Sequence, residues 1–242
     1  MPDKQIIEVE QVLDELVAQA KEAFGDNLVS VILFGSAVEQ RLRSASDVNL
    51  LFLLERFFPT EVDAFREPLR AASVAISAKA MFLLREELDV AAELFALKFS
   101  DIVARHRILY GINPLAELVI DDVELRRRLR EVLLNLTLRL RERYVLLSLR
   151  EEKLLPVIAE TAGPLRAAAA ALLKLQGKGV VVPRDALEQF ATSSGDTGYI
   201  EAVANLSRAR EEEFLPAGVM TNTLLSLINL SSYLREQLGA GQ

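Results

Sequence analysis

The 242-residue chain has no cysteine and a single histidine, His106. Without thiols there can be no disulfides, thiolate zinc sites, iron–sulfur clusters or cysteine nucleophiles. Any Ser-His-Asp relay or histidine general base would have to use His106. Its neighbours Arg105 and Arg107 suit a helix end, where a capping or surface histidine is the simpler role. No secretory h-region follows Met1, which with the missing cysteine fits a reducing, cytoplasmic setting. The chain also lacks a basic surplus: its formal charge is −7. Nucleic acid is therefore not an expected partner, because counterion release needs a clustered basic surface. No internal repeat is evident.

What the chain does have is 51% hydrophobic and 26% charged residues, a globular profile, and enough length for one large domain or two modest ones. Residues 1–119 hold 12 Lys+Arg against 19 Asp+Glu, which is the whole of the net charge. The acidic surplus is read as solvated surface. Ile6, Val9, Val12, Leu13, Leu16, Val17 and Ala20 recur at helical spacing and predict a helix over 5–23. Two continuous, β-branched apolar runs, Leu28 to Phe34 and Val48 to Leu54, predict strands covered on both faces and paired in one sheet. Pro59 opens a helix to about Ala78, Lys79 to Leu84 suits another strand, and the pattern turns helical from Asp89 to about Arg105.

Beyond Pro114 the strand signals nearly vanish. Leu125, Leu129, Leu133, Leu136 and Leu140 mark one long helix over 122–152, and further helices near 154–176, 184–192, 198–213 and 217–238 are separated by glycine, serine and proline breakers. The expected fold class is thus α/β (α+β): a mixed sheet with flanking helices at 1–115, then an all-α helical bundle at 116–242. Arg126-Arg127-Arg128 with Arg130 read as a solvated face laced with ion pairs to Asp122, Glu124 and Glu131. The uncharged segment 214–234 is long enough to span a bilayer, but Asn222, Thr223, Asn229 and Ser231 would lack partners in lipid. A buried bundle helix or a subunit interface fits it better, and a homodimer is an expectation drawn from it. No membrane association is expected.

The segment richest in chemical content is an apolar strand ending in Gly35-Ser36, ten intervening residues, then Asp47-Val48-Asn49 opening the next strand. A small-residue turn lets backbone N–H groups approach phosphate oxygens, and Ser36 adds a hydroxyl. Residues two apart on a strand face the same side, so Asp47 and Asn49 point together. Such a turn beside a carboxylate is a candidate metal–nucleotide site.

In this pattern the sequence resembles the nucleotidyltransferase superfamily of the DNA polymerase β type, especially its minimal bacterial members. There a Gly-Ser turn precedes an Asp-x-Asp pair, here Gly35-Ser36 and Asp47-Val48-Asn49 with Ser46 directly before. Glu93 to Lys98 and Arg107 to Gly111 look like the end of that domain in related proteins carrying a helical C-terminal domain. The resemblance implies transfer of a nucleoside monophosphate from an NTP to an acceptor, a small molecule or a protein, with Mg²⁺ or Mn²⁺ as cofactor. It further implies that Gly35, Ser36 and Ser46 bind the nucleotide, and that Asp47 and Asn49 hold metal and serve catalysis. Two departures stand in this chain. Asn49 offers a neutral amide where the pattern has a carboxylate. The strand Lys79 to Leu84 carries no third carboxylate, although Glu86, Glu87 and Asp89 lie just beyond it. Two readings follow: a transferase with altered metal ligation, or a degenerate domain that binds a nucleotide or a protein partner without transfer. Helical domains joined to such units can be RNA nucleases with an Arg-x4-6-His motif. With no histidine after His106, this C-terminal half is not one.

Overall fold

A computed structural model describes residues 4–39 and 47–239. The chain divides into two compact units, Met1–Ile120 and Asp121–Gln242.

The first unit is built on a four-stranded sheet of order β3-β2-β1-β4, with β1 at Leu28–Phe34, β2 at Val48–Leu54, β3 at Ala78–Leu84 and β4 at His106–Gly111. β1 runs antiparallel to both β2 and β4, while β2 and β3 run parallel and are joined through helix α2 (Pro59–Ile76). The continuous apolar runs of β1 and β2 have their expected consequence: the two central strands are covered on both faces. On one face Val31, Leu33, Leu50, Phe52 and Leu54 pack with helix α1 (Lys4–Phe24) and with Phe65 and Ala72 of α2. On the other, Ile32, Phe34 and Leu51 pack with Leu88, Ala91 and Ala92 of α3 (Leu88–Leu94) and with Phe99 and Ile102 of α4 (Ala96–Ala104). A ring cluster fixes the first face, with Phe65 centred 5.1 Å from Phe24 and 5.2 Å from Phe52.

One expected helix, Asp89 to Arg105, is two. The chain leaves helical geometry at Phe95 (φ −115°, ψ 40°), with no glycine or proline to announce it. After β4, Leu115 is buried in the α3/α4 face, with Leu118 and Ile120 packed against it. The first unit therefore continues past the boundary expected at 115/116, up to Asp121, whose carboxylate accepts the N–H of Val123 and caps the next helix.

The second unit holds five α-helices among the described residues: α5 (Asp122–Leu147), α6 (Leu154–Leu175), α7 (Pro183–Ser193), α8 (Thr197–Glu212) and α9 (Met220–Gln237). Gly177, Gly179 and Gly195 all have positive φ, as their role between helices demands. The uncharged segment 214–234 largely forms α9, whose Leu224, Leu227, Leu230 and Leu234 are buried in the bundle. Its polar side chains have specific partners. The hydroxyls of Ser231 and Thr137 (α5) are 2.6 Å apart, and the Asn205 (α8) amide donates to Thr223 Oγ1 at 3.0 Å. α9 thus spends most of its apolar surface inside its own bundle, with Leu225 left at the surface. No described helix is long and apolar enough to cross a membrane. Four arginines at the start of α5 are engaged as ion pairs or helix-end contacts. Arg127 and Arg128 pair with Glu124, Arg128 also with Glu131, and Arg126 and Arg130 reach the carbonyls of Leu175 and Leu238. The hydrogen bond from Arg127 is the main reason the Glu124 carboxyl sits below its ordinary value.

Candidate functional site

Strand directions bring four chain segments to one edge of the sheet. β1 ends there while β2, β3 and β4 begin there, because Phe34 pairs with both Asn49 and His106, and Asn49 pairs with Lys79. The edge thus collects Gly35-Ser36, Asp47, Asn49, Lys79 and His106.

Gly35 starts a short 3₁₀ turn, Gly35–Glu39, at φ 81°. A Cβ placed there would lie 3.7 Å from Asn49 Nδ2, an ordinary contact, so it is the left-handed backbone rather than lack of room that favours glycine. The Gly35 N–H donates to the Arg105 carbonyl at 3.0 Å and is therefore occupied within the fold. Ser36, next in the turn, is exposed. Asp47 and Asn49 are half-buried, and the Asn49 amide approaches the Asp47 carbonyl at 3.4 Å. Ser46, with Arg41, Arg43 and Ser44, lies outside the described residues.

The register places Lys79 directly beside Asn49, and its Nζ donates to Asp47 Oδ2 at 2.8 Å. The strand on which a third carboxylate was sought presents an ammonium group at this edge. Glu86, Glu87 and Asp89 do not make up the loss. In a parallel pair they lie beyond the Leu54–Leu84 end, about 20 Å along the strand from Lys79 at about 3.3 Å per residue. Glu87 is also committed there, accepting the Leu84 N–H at 2.9 Å.

A second cation, absent from the motif reading, stands on the same face. Alternation puts Phe34, Asn49, Lys79 and Met81 on the α3/α4 side. Lys98 of α4 reaches down to it, 3.3 Å from Met81 Sδ and 6.0 Å from the centre of the Phe34 ring. Contacts with β3 and β1 together place its ammonium over β2, between them.

His106 has a structural role. Its Nδ1 is 3.1 Å from the carbonyls of Ile102 and Val103, which can only accept, so Nδ1 carries a proton and closes the end of α4. The adjacent Arg105 is bound through its guanidinium to Asp101.

A two-metal centre needs several anionic oxygens converging on hard cations. Here one carboxylate is bonded to an ammonium, the second ligand is a neutral amide, and the third position is cationic. No group of three or more His, Cys, Asp or Glu side chains among the described residues could hold a metal ion. The donor set does not fit two divalent cations.

A solved spectinomycin adenyltransferase from Enterococcus faecialis, with ATP and spectinomycin, superposes on 95% of this chain and 99% of its own, with a TM-score of 0.65 and 14% sequence identity. The chain has the nucleotidyltransferase fold. At that identity the likeness is one of fold, and it agrees with the family resemblance carried by Gly35-Ser36 and Asp47-Val48-Asn49. A Methanocaldococcus jannaschii protein, provisionally named a protein adenylyltransferase, is 38% identical over 52 residues. That match covers 22% of this chain and 35% of the relative, about a third of its length. No family model matches the chain.

Within this nucleotidyltransferase fold, the sequence motif named four candidates, Gly35, Ser36, Asp47 and Asn49, which share one sheet edge. It missed Lys79 as a member of the site and missed Lys98 altogether. Lys79 could have been found by setting the start of the β3 run beside that of β2. Lys98, delivered by a helix from the other side of a chain reversal, had no such signal.

Proposed function

We propose that the first unit binds a nucleoside triphosphate at the Gly35-Ser36 edge of its sheet and that nucleotidyl transfer by two metals has been given up there. One observation carries this reading: Lys79 stands in register with Asn49 and bonds to Asp47. Replacing an anionic ligand by a cation at a site that must concentrate positive metal removes several kcal/mol of charge stabilisation, and each loss of about 1.36 kcal/mol costs tenfold in rate. The turn and its serine, which serve phosphate rather than metal, are retained.

A second reading, transfer of a nucleoside monophosphate with Mg²⁺ or Mn²⁺ to a small molecule or a protein, draws support from the names of the two relatives. One is a spectinomycin adenyltransferase, and the other is provisionally named a protein adenylyltransferase. The two readings part in one experiment. The whole chain is incubated with labelled NTPs, Mg²⁺ or Mn²⁺ and candidate acceptors, and pyrophosphate release and nucleotide binding are followed together. Binding without pyrophosphate release above background supports the first reading. Release that disappears in Asp47→Ala establishes the second and overturns the first.

A further inference from the structure

Resting on the nucleotide-binding reading, we infer that Lys79 and Lys98 take the place of the metal ions: the site binds a nucleoside polyphosphate as the free anion, without a divalent cation. The inference concerns how the ligand's charge is met, a question that the loss of transfer leaves open.

In a metal-dependent site the protein supplies carboxylates, the metals reverse their charge, and the phosphates bind to the metals. This edge is built with the opposite sign. Asp47, Lys79 and Lys98 together carry a net charge of one positive, with Asn49 neutral between them. Among the described residues of the sheet, Asp47 is the carboxylate that shares this face with the two lysines at the edge, and Lys79 already neutralises it. An anion approaching past Ser36 therefore meets two ammonium groups, each with three donors on a flexible stem.

Both groups are free to serve a ligand. The Lys79 side chain is 65% exposed, and its bond to Asp47 is a surface pair of the kind that exchanges readily with a competing anion. Lys98 is exposed, and among the described residues its contacts are a thioether and a ring face, neither of which neutralises a charge. The Phe34 ring and the Met81 thioether meet the ammonium itself without neutralising its charge. A lysine held over a sheet edge by a thioether and the ring of Phe34, the residue that precedes Gly35, with no carboxylate partner among the described residues, is placed for an anionic ligand rather than for stability.

The test is a titration of the full chain with a fluorescent ATP analogue, repeated with unlabelled ATP by calorimetry, once in excess EDTA and once in excess Mg²⁺. Affinity in EDTA equal to or higher than that in Mg²⁺ is expected, because Mg²⁺ masks the charge the lysines recognise. Lys79→Ala should weaken metal-free binding about tenfold, as for loss of a hydrogen bond to a charged group, with Lys79→Arg retaining most of it. The sign of a further variant is decisive. Asp47→Asn removes the repulsive carboxylate and should tighten metal-free binding several-fold, whereas a metal ligand replaced in the same way would weaken it. Circular dichroism melts of each variant confirm that it folds. Binding seen only with Mg²⁺, or weakened by Asp47→Asn, overturns this inference and leaves nucleotide binding standing. Absence of binding in both conditions overturns the nucleotide reading itself.

Discussion

The two ends of the β2–β3 pair carry similar ion pairs with different surroundings. At one end Lys79 bonds to Asp47 at 2.8 Å, and at the other Arg85 bonds to Glu55 at 2.6 Å. Each joins a cation on or just past β3 to an acid flanking β2, and both pairs lie at the surface, with Asp47 the least exposed of the four. At the Glu55 end the other polar groups fasten the fold. The Asn27 side chain accepts the Arg56 N–H at 2.8 Å, donates to the Arg56 carbonyl at 2.9 Å and reaches Glu61 at 2.6 Å, clamping the β2–α2 turn to the start of β1. At the Asp47 end Ser36, Lys79 and Lys98 have no such duty. An ion pair does not by itself mark a site; polar groups unspent on the fold do. The fastened end should therefore govern stability, and the open end binding.

The largest effect is expected from Gly111→Ala, at the fastened end where β4 pairs with Ser30 of β1. Gly111 has φ 82°, and a Cβ there would lie 2.0 Å from the Val29 carbonyl oxygen, a backbone atom that cannot yield without moving the strand. A loss of about 3–5 kcal/mol is expected, at the upper end for point substitutions. Urea unfolding followed by hydrogen exchange in the first unit measures it. Stability kept within about 1 kcal/mol would mean that β4 is not fastened there, which breaks the comparison.

Next comes Asn27→Ala, which leaves the Arg56 N–H and Glu61 without their partner and should cost about 1–2 kcal/mol at the same end. Below it is the matched pair Lys79→Ala and Arg85→Ala. As exposed ion pairs, each is worth at most about 1 kcal/mol in thermal melts. Only Lys79→Ala should change nucleotide affinity, and equal binding by both variants would erase the distinction between the ends.

How much of this was readable in the sequence depended on whether a signal is local. The central strands were legible because burial on both faces makes a continuous apolar run, and the bundle helices because glycines with positive φ stand between them. The break at Phe95 was not, since no glycine or proline marks it. At the site, the turn and Asp47-Val48-Asn49 could be read from spacing alone. The exclusion of Glu86, Glu87 and Asp89 could not, because it follows from a parallel register that carries them away from Asp47. The uncharged segment showed its polar groups but not their partners, and Thr137 and Asn205, which come from other helices, decide that α9 is core.

The smallest effect tests the same distinction with a carboxylate in the second unit. Glu151 accepts the backbone N–H groups of Gly218 at 2.6 Å and Thr221 at 3.1 Å, fastening the start of α9. These hydrogen bonds, the one from Gly218 first, hold its carboxyl below the ordinary value of 4.5. A carboxyl whose pKa is depressed by folding contributes stability that is present above its unfolded value and is lost as pH falls through the folded one. The bundle should therefore melt at a lower temperature as pH drops below about 4.5, and Glu151→Gln, which keeps only one of the two acceptor oxygens and no titrating charge, should melt slightly lower near neutrality and show a flatter slope, the two proteins converging in acid. Melting curves followed across the acid range for both proteins decide it. An unchanged slope would show that Glu151, like Asp47, is a carboxylate on which the fold does not depend.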